Sequence, residues 1–333
     1  MPPEFGKPVH SLTNPSTASS KMKLFHDPGF AAPLGKHIMP ISKFALVAEE
    51  IRRELPEILI ESPAPVREAD LRRVHTSQYI RAIQSGKPRE LAESQKFPWS
   101  PQLFPSVLLT NGGLLAAARQ ALEDGSSGAL ASGFHHACAD HGEGFCTFNG
   151  LIVALEALKE EELIRTGAVL DLDLHYGNGT ASLAVSRPWM RTLSIYGNDY
   201  WENKPFRDVT RRHHEDGPNH FSVPLVPTGH SDRDMLFNNL ETHLPWLLGP
   251  EKPDILLYQA GADPLKDDPY SPLNLTHEDL KERDRMVFSF ARSHSVPIAW
   301  VLAGGYTPDT SKVVEAHLNT ARVWRQIFGV PAT

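Results

Sequence analysis

The stretch Gly167-Ala-Val-Leu-Asp-Leu-Asp-Leu-His-Tyr-Gly-Asn-Gly-Thr180 carries three ionisable side chains at alternate positions, Asp171, Asp173 and His175. In an extended chain successive side chains alternate between faces, so these three share one face while Leu170, Leu172 and Leu174 share the other. Two carboxylates and an imidazole beside an apolar strand are costly to desolvate unless something cationic holds them. Their donor types suit a divalent ion such as Zn2+. The glycines that follow release the chain into a tight turn, and Thr180 is predicted to open a helix. The cluster then sits at the carboxyl edge of a sheet, where α/β proteins bind ligands. Two plainer readings compete. An EF-hand loop needs Gly at its sixth position and Glu at its twelfth, where this chain has Tyr176 and Ser182. A solvated turn with scattered acids does not explain the strict alternation behind an apolar strand.

Other segments point to the same rim. The small-residue run Gly128 to Ser132 reads as a short strand and leads into Gly133-Phe-His-His-Ala137, so His135 and His136 fall just past a strand end. A lone histidine is usually a satisfied polar group; an adjacent pair beside a ligand cluster suits proton transfer. Gly142-Glu-Gly-Phe-Cys-Thr-Phe-Asn149 follows. Asp254 to Pro264 reads as a buried strand ending in a small-residue turn and Asp263, and Pro297 to Tyr306 as another ending Gly-Gly-Tyr. Four strand ends thus offer a His pair, Asp-x-Asp-x-His, Asp and Tyr to one site.

In this order the blocks resemble the histone deacetylase family of zinc amidohydrolases, which includes bacterial acetylpolyamine amidohydrolases. The resemblance runs from Lys23 to Phe328 and takes in Val74-His-Thr-Ser-Gln-Tyr-Ile80 as an early helix entry. Within the family it is closest to the class IV branch, through Gly133-Phe-His-His136, Leu273-Asn-Leu-Thr-His-Glu-Asp-Leu280 and Gly304-Gly-Tyr-Thr-Pro308. It implies that Asp173, His175 and Asp263 hold one catalytic Zn2+. His136 would be the general base and His135 its electrostatic partner, with Asp171 behind His135. Tyr306 would be the electrophilic hydroxyl, and Phe145 a wall of the acyl channel, with Gly144 and Gly304 beside it. Asp171 and the backbone near Ser194 would help form a structural K+ site. These roles agree with amide hydrolysis: three protein ligands leave a zinc position open for carbonyl polarisation and water activation, an imidazole moves the proton, and a hydroxyl bears the oxyanion.

The chain also departs from the family pattern. Tyr176 stands where many members carry a second His, outside the proposed ligand shell, which points to packing. Asn178 replaces an acid behind the general base, and a neutral partner leaves His136 less basic than an Asp would. No equivalent is found of the loop acid that clamps the substrate backbone in several relatives; the corresponding stretch Phe97 to Phe104 is aromatic and Pro-rich. The expected reaction is removal of acetyl or longer acyl groups from lysine side chains. The missing clamp keeps a small-molecule amidohydrolase acting on acetylpolyamine-like amides in view. An arginase-like binuclear hydrolase would need further bridging acid and His ligands, and a non-catalytic acyl-lysine-binding scaffold would need neither His136 nor Tyr306.

Composition bounds the rest. The strand-then-helix alternation of the 333 residues continues without a linker or repeat after residue 22. This predicts one catalytic domain, 23–333, an arginase/deacetylase-like α/β fold with a doubly wound, mainly parallel sheet and helices on both faces. Residues 1–22, polar and rich in Pro, Ser and Thr, read as a flexible tail. Thr276-x-x-Asp279 is a capping-box start for a helix to Ser293, Gly125 closes the run Leu114 to Glu123, and a helix over Lys312–Ile327 is expected against the last strand's edge. A formal charge of −7 argues against a nucleic-acid partner, and Arg211 to His214 reads as a solvated loop. Two cysteines, Cys138 and Cys146, imply no disulfide framework or zinc finger, and Cys146 reads as packing beneath the site. With no apolar signal core and no long apolar run, a soluble cytoplasmic protein is expected. The long loop from Asn198 to Phe221 fits either a cover over the site, with Tyr200 or Trp201 as a second channel wall, or a surface loop anchored by its aromatics.

Overall fold

The computed structural model describes residues 22–33, 39–198, 217–226 and 232–329. Its centre is an eight-stranded sheet in the order β2-β1-β3-β8-β7-β4-β5-β6. The strands are β1 (Lys23–Phe25), β2 (Leu59–Glu61), β3 (Ser126–Ser132), β4 (Gly167–Asp171), β5 (Met190–Tyr196), β6 (His220–Pro224), β7 (Ile255–Ala260) and β8 (Ile298–Leu302). Every pairing is parallel. The interior strands β3, β4, β7 and β8 are buried at every position. Small and apolar residues on both faces of these strands suit a parallel sheet covered by helices on both sides.

The helices are α1 (Lys43–Glu54), α2 (Glu68–Arg72), α3 (Ser77–Ser85), α4 (Arg89–Ala92), α5 (Leu103–Asp124), α6 (Gly150–Glu160), α7 (Asn178–Ala184), α8 (Asp232–His243), α9 (His277–Ser293) and α10 (Thr310–Phe328). They pack in two groups, α2, α5, α6 and α7 in one and α1, α8, α9 and α10 in the other, giving one layer on each sheet face. The local signals explain the boundaries. Thr276 and Asp279 form the expected capping box at α9, and Gly125 ends α5 in the left-handed conformation that favours glycine. Two expectations shift. The helix after His175 starts at Asn178 rather than Thr180. The last strand has no free edge, because β8 lies between β3 and β7; α10 therefore packs on a face, with Trp324 against Trp300 at 5.5 Å.

This strand order positions the site. β3, β8, β7 and β4 are far apart in sequence yet neighbours in the sheet, and their carboxyl ends lead directly to His135 and His136, Tyr306, Asp263, and the Asp173–His175 segment. A register shift in β3 between Ala129 and Ser132 bends that strand just before the histidine pair. The expected tail, 1–22, falls outside the described residues apart from Met22. No helix among the described residues is long and apolar enough to cross a membrane.

Candidate active site

β4 ends at Asp171, so Asp173 and His175 stand on the turn beyond it rather than on the strand itself. The turn is held by its own acids: Asp171 Oδ1 accepts from the Asp173 N–H at 3.1 Å, and Asp173 Oδ1 from the His175 N–H at 2.9 Å. Neighbouring strand ends complete the fixation. The Gly304 N–H donates to Asp173 Oδ2 at 2.8 Å, and the Leu174 N–H to Asp263 Oδ1 at 3.0 Å. One oxygen of each carboxylate remains directed at His175 Nδ1, Asp173 Oδ1 at 3.2 Å and Asp263 Oδ2 at 3.1 Å. The three ligand atoms lie within 4.8 Å of one another and all three residues are buried. Burial opposes a charge on His175, but hydrogen bonds and charges from Asp173 and Asp263 outweigh it and hold the imidazole up at about 10. Asp263 is raised to about 7, by burial and then by Asp173. Two buried carboxylates converging on an imidazole form a donor set that fits a divalent cation.

The histidine pair differs in partner and therefore in charge. The His135 Nδ1–H donates to Asp171 Oδ2 at 2.6 Å. Burial acts against protonation there, yet the charges of Asp171 and Asp173 win and raise its pKa. The His136 Nδ1–H donates to Asn178 Oδ1, also at 2.6 Å. Asn178 is oriented by its other end, where Nδ2 donates to Glu143 Oε2 at 2.6 Å. Burial, followed by the positive neighbours His135 and His175, pushes His136 well below the ordinary histidine value. One imidazole is poised charged and the other neutral, the separation that acid–base work requires.

Tyr306 reaches the site because two glycines precede it. A Cβ on Gly304 would overlap the Asp263 carboxylate, and Gly305 has φ 143°. The Tyr306 N–H donates to Asp268 Oδ2 at 2.7 Å, and its ring meets His175 edge-on at 6.1 Å. Burial, then Asp263 and Asp173, raise its pKa well above the usual value, so the hydroxyl keeps its proton. Gly144 is equally constrained: its φ is +47°, and a Cβ there would strike the His136 ring. Phe145 follows with φ 66°, stacks on Phe97 at 5.6 Å and lies 6.3 Å from Tyr306. Next to these residues is a cavity of about 730 Å3, including its open mouth, with walls from Met39, Ile41, Phe44, Leu103 and Val107.

The structure thus brings His135, His136, Asp171, Asp173, His175, Asn178, Asp263, Gly144, Phe145, Gly304 and Tyr306 together. Asp171 also pairs in register with Ser194 on β5, the neighbourhood of the expected K+ site. Tyr176 is buried away from the donor set, its hydroxyl 3.1 Å from His220 Nε2 and its ring 5.0 Å from Tyr196. Cys146 is buried beside the cavity with its thiol pushed up by burial, as a packing residue would be. Tyr200 and Trp201 lie outside the described residues.

Three residues here were missed by the sequence reading. Lys43 is fully buried and donates Nζ to the Ala303 carbonyl at 2.7 Å and the Gly305 carbonyl at 3.3 Å, which fixes the turn before Tyr306. Burial lowers it to about 8 against the pull of Asp263, Asp173 and Asp268. Its signal was available: Lys43 occupies the apolar stripe of α1 with Val47 and Ile51. Asp268 accepts from the N–H groups of Tyr306 and Tyr270, and the Tyr270 ring stands edge-on to Tyr306 at 5.2 Å. Only the run Asp267-Asp-Pro-Tyr270 after Asp263 hinted at these two.

An all-parallel sheet with helices on both faces and this rim of side chains is the arginase/deacetylase-like α/β architecture. The comparisons with known proteins agree. A histone deacetylase domain model matches residues 37–321. An uncharacterized protein of Picosynechococcus sp. is 29% identical over 309 residues, covering 91% of this chain and 98% of its own. Histone deacetylase 2 of Arabidopsis thaliana is 27% identical over 268 residues, covering 78% of this chain and 66% of its own. The crystal structure of acetylpolyamine aminohydrolase from Burkholderia pseudomallei superposes with a TM-score of 0.72 at 18% identity, over 92% of this chain and 99% of that one, a likeness of fold. The chain belongs to the histone deacetylase family, a family of deacetylases and amidohydrolases.

Proposed function

We propose that this protein removes acyl groups from lysine side chains, with one zinc held by Asp173, His175 and Asp263. When bound, zinc supplies Lewis-acid polarisation of the amide carbonyl and activation of water. The chain's own residues do the rest. His136, neutral and oriented by Asn178, accepts the proton of the attacking water on Nε2 and returns one to the leaving amine. His135, held charged by Asp171, adds positive potential beside the reacting centre. The Tyr306 hydroxyl donates to the oxygen that becomes negative. Phe145 and Phe97 give the acyl-lysine stem an apolar wall.

The observation that carries the substrate reading is the cavity next to the donor set. Its walls are mainly apolar, and among the described residues Asp173 is the only carboxylate that lines it. An acyl chain longer than acetyl gains from such walls, whereas a polyamine would leave its ammonium groups without anionic partners. Likeness to the acetylpolyamine aminohydrolase fold keeps acetylpolyamine-like amides as the second reading. The test is a panel of acetyl-lysine peptide, long-acyl-lysine peptide and acetylspermidine with zinc-loaded protein. Peptide hydrolysis is expected, with the long-acyl peptide at least matching the acetyl one. Preference for acetylspermidine would overturn the protein-substrate reading, and loss of the long-acyl activity alone would restrict it to acetyl.

A further inference from the structure

The loop between His136 and Cys146 carries a second group of metal-binding side chains, separate from the buried donor set. Cys138, His141 and Glu143 each offer one ligand atom, and these atoms lie within 4.8 Å of one another. Thiolate, imidazole and carboxylate are all zinc donors, and a tetrahedral centre holds such atoms roughly 3.3–3.6 Å apart, so small side-chain rotations close the set. The group is reachable from solvent: the His141 and Glu143 side chains are 40% and 35% exposed.

The backbone that presents these side chains is fixed. The Cys138 N–H donates to the His141 carbonyl at 3.0 Å and closes a turn. His75 Nδ1 donates to the Cys138 carbonyl at 2.9 Å, and the Gly142 N–H to Ser94 Oγ at 2.9 Å. The His141 Nδ1–H is taken by Asp140 Oδ1 at 2.7 Å, which leaves the lone pair on Nε2, 3.4 Å from Glu143 Oε1. A carboxylate behind an imidazole is the arrangement that orients metal-binding histidines. Glu143 then leads inward. Its other oxygen, Oε2, accepts from Asn178 Nδ2, and Asn178 Oδ1 accepts from His136.

We propose that Cys138, His141 and Glu143 form a second divalent-metal site, suited to Zn2+, whose occupancy is transmitted to His136 through Glu143 and Asn178. Binding replaces the Cys138 S–H bond by a metal–thiolate bond and releases the proton to solvent. A cation on Oε1 withdraws charge from Glu143 and weakens Oε2 as the acceptor that orients the Asn178 amide. The acceptor behind His136 loosens in turn, so the second ion slows turnover. The slowing rests on the role proposed for His136; the binding does not.

The test uses the full chain carrying one equivalent of zinc, titrated with Cd2+ while the thiolate-to-cadmium charge-transfer absorption is followed. The buried donor set contains no sulfur, so the band reports the second site. Wild type should bind a second equivalent with this band, and Cys138→Ala and His141→Ala should each bind one equivalent without it. Asp140→Asn should weaken the second site by roughly 10–100-fold. Excess Zn2+ should slow the wild type and leave Cys138→Ala at its starting rate. Saturation of wild type at one metal, or retention of the second by both variants, overturns the site. A second equivalent that leaves the rate unchanged overturns the link to His136. A chain inactive on every acyl amide would fail the proposed function, and the cadmium titration would still decide the site.

Discussion

Two clusters of donor side chains lie on either side of His136, and they are built by opposite means. Asp173, His175 and Asp263 come from two strand ends, are buried, and have their outer oxygens held by N–H groups of the turns after β4 and β8. Cys138, His141 and Glu143 come from a single loop and remain partly open to water. In the first, desolvation makes the uncompensated negative charge expensive, so a cation is strongly favoured. In the second, water screens the same kinds of groups, and an ion gains less. Donor type alone therefore does not rank metal sites; burial and the rigidity of the surrounding backbone do.

The buried cluster is most sensitive at Asp263. Asp263→Ala should remove most of the tightly bound zinc and nearly all activity while the fold survives; a purified variant with stoichiometric zinc would show that the buried cluster is not the strong site. His136→Ala should cost on the order of 10²–10⁴ in rate with zinc retained. His135→Ala should cost less, and a reversal of the two losses would exchange their roles. Tyr306→Phe removes one oxygen and little volume, so zinc content should hold while kcat falls roughly 10²–10³-fold and KM barely moves. A variant within a few-fold of wild type would make Tyr306 structural.

Smaller effects sharpen the link between the clusters. Asn178→Asp places a carboxylate behind His136 and favours its charged form. The acid limb of the kcat/KM profile, set by the low His136 pKa in the wild type, should therefore move up by roughly 1 unit or more; an unmoved limb would assign it to another group. A separate effect is on stability. His75, whose Nδ1 holds the Cys138 carbonyl and whose Nε2 accepts from the Asn149 N–H at 3.0 Å, is lowered to about 4, chiefly by burial. Its folded pKa lies below the unfolded value, so its contribution is complete above about pH 6.5 and is lost as pH falls towards and through 4. Unfolding free energies from denaturant titrations across that window should fall by up to about 3 kcal/mol more in the wild type than in His75→Gln. Parallel curves would remove His75 from the acid-sensitive set.

Much of this was legible in the residues. The alternation of Asp171, Asp173 and His175 behind leucines, the capping box at Thr276 and Asp279, and the left-handed Gly125 are local patterns. Each is set by neighbours two to four positions away, which is the range over which backbone geometry repeats. The parallel α/β class followed from short apolar runs alternating with helical ones. The sequence also held the motif order that placed the chain in its family, and with it Asn178 behind His136.

The tertiary structure decided what those patterns could not label. Apolar runs such as Ala-Val-Leu in β4 and Ile-Leu-Leu in β7 carry no mark of their partner. Only packing of both helical layers set β3, β8, β7 and β4 side by side. The apolar stripe of α1 marks Lys43 as buried, but nothing local names its partner, the Ala303 carbonyl 260 positions away. Glu143 and Asn178 met for the same reason, 35 positions apart, and so tied a solvent-facing loop to the buried His136. Local propensity fixes which residues an element presents, whereas the burial energy of a whole sheet, spread over many interchangeable apolar contacts, fixes which elements meet.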